Sequence, residues 1–228
     1  MYHTVKKFAL FLVIITAMQS CTIVRSLHEM RKKHASVGTI NYNDKSIKYI
    51  PMHHLGKKVF YDDVTRKIAY YKKDGYKVYF ELVKFKPLPD STANDLLKRK
   101  ARKLKGFSGT YKDMANESGT FKKYIQQPSY ASMGVDSTDV WADMDYASVI
   151  AVYEHKYGPI MLDSVDMHTP LKARYESNKI TRKQWNKVAV GARNEHLAGV
   201  IKHSQDKKIL IIYGKGHMKG VKRILKEK

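Results

Sequence analysis

Three residues of this chain pair a reactive side chain with a position where ligands commonly bind. His54 follows a run that reads as a β-strand, Glu81 lies late in a second run, and His217 follows the last one. In open α/β sheets, ligands bind outside the carboxyl ends of the strands. Two imidazoles and a carboxylate converging there suit a divalent metal, or a hydrolytic acid–base site without one. Singly, each signal is weak: a loop histidine is more often solvated or structural, and Glu81 could be an edge-strand carboxylate. The shared strand-end position is what joins them.

Arg193 is a fourth candidate, argued from burial. Its helix is apolar on more than one side, with Trp185, Val188, Ala189 and Ala192 in one stripe and Val190, Leu197 and Ile201 in another. Such a helix is largely buried. An arginine between the stripes needs a carboxylate, because an unpaired buried charge costs several kcal/mol. Asp143 and Asp145, at a predicted strand end, are the candidates. The competing reading is an exposed arginine with a snorkelling stem.

The elements that must position these groups alternate between strand and helix from Ser46 onward. Ile47 to Met52 reads as the first strand. Phe60, Val64 and Ile68 then recur at helical spacing, with Asp62 and Asp63 in the first turn, Lys72 and Lys73 in the last, and Gly75 at the C-cap. Val78 to Val83 is a second strand, so the domain starts as a βαβ unit with parallel strands. Ser91 to Lys105 is a basic helix ended by Gly106. A short helical piece is expected near Phe121 to Gln126, a third strand at Val140 to Asp143, and a helix from Tyr146 to Tyr157. Thr181 and Gln184 form a capping box for a long helix to about His203. Lys208 to Tyr213 is a strongly apolar strand, and a last helix begins near Val221. The fold class is α/β: a mostly parallel sheet flanked by helices, with the site at the carboxyl ends of the strands.

Several of these segments resemble motifs of the TraB/PrgY/GumN/Tiki family. Ile50-Pro51-Met52-His53-His54 and Gly75-Tyr76-Lys77-Val78-Tyr79-Phe80-Glu81 are similar to its opening G-x-x-H and strand-end glutamate. Gly214-Lys215-Gly216-His217 resembles its second G-x-x-H. Ala192-Arg193-Asn194 resembles its Arg-Asn/Asp helix motif, and Trp141-Ala142-Asp143-Met144-Asp145 its aspartate segment. The resemblance extends from about Ile47 to the C-terminus. It implies a site of His54, Glu81 and His217, with Arg193 as further catalytic support and Gly214, Asn194, Asp143 and Asp145 behind it. It also implies a manganese- or cobalt-like ion, a water polarised by that ion, and a peptide substrate. The distantly similar erythromycin esterases use a histidine base, so His54 could act without an ion. Other members capture a peptide without established catalysis, which leaves a non-catalytic peptide- or ligand-binding protein as the alternative. One departure is Pro51 where the family has glycine: proline fixes φ and removes an N–H. His53 is then a substitute ligand to consider.

The N-terminus predicts where the protein works. Lys6 and Lys7 precede an apolar run, Phe8 to Ala17, of ten residues. That is too short to span a hydrocarbon core of ~30 Å, and it fits a secretory signal. The chain's one cysteine, Cys21, follows Ser20, which is small enough for a cleavage position. Residues 1–20 are therefore read as a signal peptide and Cys21 as a lipidated N-terminus. Residues 21–45 would be the tether, and 46–228 one α/β domain. Acyl chains on Cys21 would hold the protein in a bilayer, and Thr22, which is not acidic, favours the outer membrane facing the periplasm.

The formal charge of +22 favours anionic head groups or other polyanions. Export and the lack of any zinc-finger, RNP-like or helix-turn-helix pattern argue against nucleic acid. Hydrophobic content of 43% and sixteen tyrosines exclude a disordered chain. No H-E-x-x-H, G-x-S-x-G, Walker loop or C-x-x-C is present.

Overall fold

The computed structural model describes residues 27–108, 113, 123–175 and 180–226. Residues 1–20, read above as a signal peptide, and Cys21 lie outside the described residues.

The domain is α/β, built on a five-stranded, mostly parallel sheet with helices on both faces. Strands β1 (Gly38–Tyr42), β2 (Lys45–Met52), β4 (Lys77–Phe80), β6 (Val140–Trp141) and β7 (Lys208–Gly214) lie in the order β1-β2-β7-β4-β6. β1 is antiparallel to β2, and the other neighbours are parallel. A second, two-stranded sheet pairs β3 (Leu55–Gly56) with β5 (Ile125–Gln126). Ile125 and Gln126 are thus extended, where a helical piece was expected.

Strand β7 is the centre of the sheet, and its sequence explains why. Five successive residues, Ile209 to Tyr213, are fully buried, as expected of a parallel strand covered on both faces. Leu210 and Ile212 join Ile50, Val78 and the Phe60, Val64 and Ile68 stripe of helix α1 (Lys58–Lys73) on one face. Ile209, Ile211 and Tyr213 meet Leu197 and Ile201 on the other. Burying a large aliphatic side chain contributes about 1.5–3 kcal/mol, so this strand fixes the order of the elements around it.

β2, α1 and β4 follow in βαβ order, but β7 lies between the two parallel strands. The domain also opens earlier than the sequence indicates. β1 falls inside the segment read as a tether, and Ala35, also buried, donates its N–H to Asp63 at 2.9 Å. The hairpin turns through Asn43-Asp44, with Asn43 at φ 50°. Only Ile40 of β1 is buried, so the strand carried little apolar periodicity. Asp63 is itself buried and tied to Ala35, Arg66 and Lys67. Its role is to fasten this lead-in segment to α1.

α2 (Ser91–Lys105) ends at Gly106, which adopts a left-handed φ of 82°. α3 (Tyr146–Tyr157) and the short α4 (Ser164–His168) follow. Thr181 and Gln184 bond reciprocally at the start of α5 (Arg182–Trp185). The long helix does not continue as a uniform α-helix. Asn186–Ala192 is a π-helical stretch, after which α6 (Arg193–His203) resumes. Such a stretch shifts the register of everything after it and often occurs at functional sites. Arg193 is the first residue of α6, directly after the π-helical stretch. α7 (Met218–Lys226) closes the described chain.

Candidate active site at the carboxyl edge of the sheet

Because β2, β4, β6 and β7 are parallel, their carboxyl ends share one edge. β2 ends two residues before His54, β4 one before Glu81, and β6 two before Asp143; β7 ends at Gly214, three before His217. The expected third strand, Val140 to Asp143, stops at Trp141. Asp143 is thereby released from the ladder.

Arg193 is the hub. It is 8% exposed and Asp143 is 2% exposed. Its Nε donates to Asp143 Oδ1 at 2.8 Å and its Nη2 to Asp143 Oδ2 at 2.7 Å, a bidentate pair. Nη2 also donates to Glu81 Oε1 at 2.5 Å, and Nη1 to the Ala189 carbonyl at 3.2 Å. Burial works against the charge on Arg193, but Asp143 and Glu81 more than offset it, and the guanidinium pKa is raised. The buried arginine therefore has its carboxylate, and it is Asp143. Asp145 does not join it. Two residues farther on, it caps α3 by accepting the Ser148 N–H at 2.8 Å and pairs with Lys86 at 2.9 Å.

Glu81 is held from both ends. Arg193 takes Oε1, and Oε2 accepts the backbone N–H of Gly214. A Cβ at position 214 would stand 2.9 Å from Glu81 Oε2 and 3.4 Å from the His217 ring. That close approach is what the glycine of the second G-x-x-H provides.

His217 is 6% exposed. Its Nδ1 lies 2.8 Å from Asn194 Oδ1, and its Nε2 is 3.7 Å from Glu81 Oε1. Burial pushes its pKa down to about 4, although Glu81 pulls the other way. His54 differs in exposure. Its ring reaches solvent at the wall of a cavity, yet the surrounding protein is dense enough to lower its pKa as well. Glu81 acts on it in the raising sense and Arg193 in the lowering sense. Both imidazoles are thus neutral near pH 7.

The cavity is about 790 Å³, within the range of small-ligand sites. His54, Glu81 and Arg193 supply one polar wall, while Phe80, Val83, Phe107, Tyr130, Tyr146 and Trp185 make much of the rest apolar. His217 is not on its surface. Tyr130 packs on Phe80 with ring centroids 5.0 Å apart, and burial raises its pKa. The sequence reading missed Tyr130, which lies in a stretch without periodicity. It also missed Tyr213, whose ring meets the edge of His217 at 4.9 Å. The apolar run of β7 was a signal for burial but not for a neighbour of the site.

No protein-family model, curated protein or solved structure matches this chain.

His53 is not a substitute for His54. The chain bends at His54, and His53 packs on Phe60 at 4.5 Å, outside the cavity lining. Burial pushes its pKa down to about 4. Pro51 is also accommodated. Ser46 N–H and Met52 C=O both bond toward β7, so odd-numbered residues of β2 direct their backbone groups toward β1. Pairing with β1 ends at Tyr49, and the N–H that Pro51 lacks is one no strand would have used.

The residues do not fit a divalent ion as they are placed. Glu81 spends one oxygen on a guanidinium and the other on a backbone N–H. A cation between Glu81 Oε1 and His217 Nε2 would sit close to the charge of Arg193. Among the described residues, no group of three His, Cys, Asp or Glu side chains is arranged to hold a metal.

Proposed function

We propose that this protein is a membrane-anchored hydrolase that cleaves an amide or ester bond in a peptide-like substrate, with His54 as general base. One observation carries the reading: a neutral, solvent-reachable imidazole shares a cavity wall with a fixed carboxylate–guanidinium network. The segments similar to motifs of the TraB/PrgY/GumN/Tiki family support it. The apolar remainder of the cavity suits a substrate with an aliphatic or aromatic group beside the scissile bond.

In this reading His54 takes a proton from water as the oxygen attacks the carbonyl carbon. It returns that proton to the leaving nitrogen or oxygen as the C–N or C–O bond breaks. Glu81, locked by Arg193 and Gly214, keeps the field around the imidazole constant. Arg193 has one Nη1 proton without a hydrogen-bond partner among the described residues, and that proton is the donor for the developing oxyanion.

The test uses the full-length protein in detergent, with libraries of peptides and aryl esters, in EDTA and again with manganese or cobalt. Cleavage in EDTA is expected, falling at least ~100-fold in His54→Ala and in Glu81→Gln. Cleavage only with added ion would return the reading to the metal-dependent peptidase. Tight peptide binding without cleavage under any condition would make the protein a non-catalytic envelope binder. The anchor is tested separately: Cys21→Ala should lose its acyl label and leave the outer-membrane fraction.

A further inference from the structure

We propose that Asn194 fixes the tautomer of His217, and that Gly220 is the residue that gives Asn194 room to do so. An amide oxygen can only accept, so the 2.8 Å contact between His217 Nδ1 and Asn194 Oδ1 places the ring proton on Nδ1. The neutral ring then carries its lone pair on Nε2, which faces Glu81 Oε1 at 3.7 Å. Two acceptors confront one another across that gap. Without Asn194 the other tautomer would win, because an Nε2–H donated to a carboxylate makes a charge-assisted bond.

The position of Asn194 depends on α7. A Cβ at Gly220 would lie 2.1 Å from Asn194 Nδ2 and 3.0 Å from its Cγ. No side chain fits at 220 while the amide stays where it is. Glycine is unfavourable inside a helix, and this contact is the reason for it here. Asn194 and Gly220 are positioning residues. They hold a buried ring whose acceptor nitrogen, Nε2, faces Glu81 Oε1. The use of that acceptor in turnover rests on the hydrolase reading, whereas the tautomer does not.

The experiment is imidazole ¹⁵N NMR on full-length protein labelled at histidine, with the His217 signals assigned by their loss in His217→Gln. Wild-type protein should show a protonated, pyrrole-like Nδ1 and a pyridine-like Nε2 near pH 7. In Asn194→Ala the pattern should reverse. Gly220→Ala should lose the Nδ1–H form and unfold at lower denaturant. The Asn194→Ala/Gly220→Ala double variant should recover the stability that Gly220→Ala loses, since the clashing amide is gone, but not the tautomer. If Gly220→Ala does not fold, Asn194→Ala still decides. A wild-type ring protonated at Nε2, or an Asn194→Ala ring still protonated at Nδ1, overturns the proposal. Protein that gives the expected spectra and cleaves nothing removes the hydrolase reading and leaves this assignment standing.

Discussion

The Glu81 carboxylate is seated on the backbone of Gly214: Oε2 accepts the Gly214 N–H, and a Cβ there would stand 2.9 Å from that oxygen. This contact joins the end of β4 to the end of β7 at the point where the candidate chemistry lies. Gly214 does not adopt a left-handed φ, so alanine meets no backbone penalty and only the carboxylate must move. Gly214→Ala should fold, lose about 1–3 kcal/mol of stability from crowding, and lose ~100-fold or more of any hydrolysis through misplacement of Glu81. Urea unfolding alongside turnover separates the two effects. Full activity in the alanine variant would show that the position of Glu81 is not critical.

Asp143 is expected to matter more to the fold than any other member of the site. Asp143→Ala leaves the buried Arg193 guanidinium with Glu81 as its one remaining carboxylate. Breaking a buried pair typically costs about 3–5 kcal/mol, and a loss of that order is expected by chemical denaturation. Asp143→Asn keeps an acceptor and should cost less. Asp145→Ala should behave as loss of a helix cap instead, costing about 1 kcal/mol.

Stability should fall on mild acidification. The pKa of His217 is pushed from its ordinary 6.5 to about 4 in the fold. Between those values the unfolded chain binds the proton and the folded chain does not, so unfolding free energy rises with pH across that window. The contribution is complete above pH 6.5 and is lost as the pH drops toward 4. His53, also pushed to about 4, acts in the same sense, so His217→Gln should flatten the slope only in part. Denaturation midpoints measured from pH 4 to 7.5 give the slope directly. If the proposed hydrolysis is observed, it should keep its rate below pH 6.5, because the pKa of His54 is also lowered.

Pro51→Gly puts glycine where the resembled G-x-x-H motif has it, and any turnover should be unchanged. The missing N–H faces the side of β2 that β1 has already left, so no ladder bond is gained. The cost should be about 0.4–1 kcal/mol, from the larger entropy of the unfolded chain. A several-fold rise in activity in the glycine variant would mean that proline displaces His54.

Much of this protein was legible in the chain itself, where signals were local. The apolar run of β7, the i, i+4, i+8 stripe of α1, Gly106 after α2 and the Thr181/Gln184 box each act within a turn or two of sequence. Burial then selects the same element that local preference proposes. The need of Arg193 for a carboxylate was legible too, because a buried charge without one is too costly. Tertiary structure decided what depended on distant partners. It chose Asp143 over Asp145, since two further residues carry Asp145 to a helix cap. It drew β1 out of an apparently polar tether, since pairing with β2 satisfies a backbone whose side chains gave almost no pattern. It separated the two histidines, leaving His54 at the cavity and burying His217 behind Glu81. It also inserted the π-helical stretch ahead of Arg193, for packing over many residues sets helix register where no short motif does.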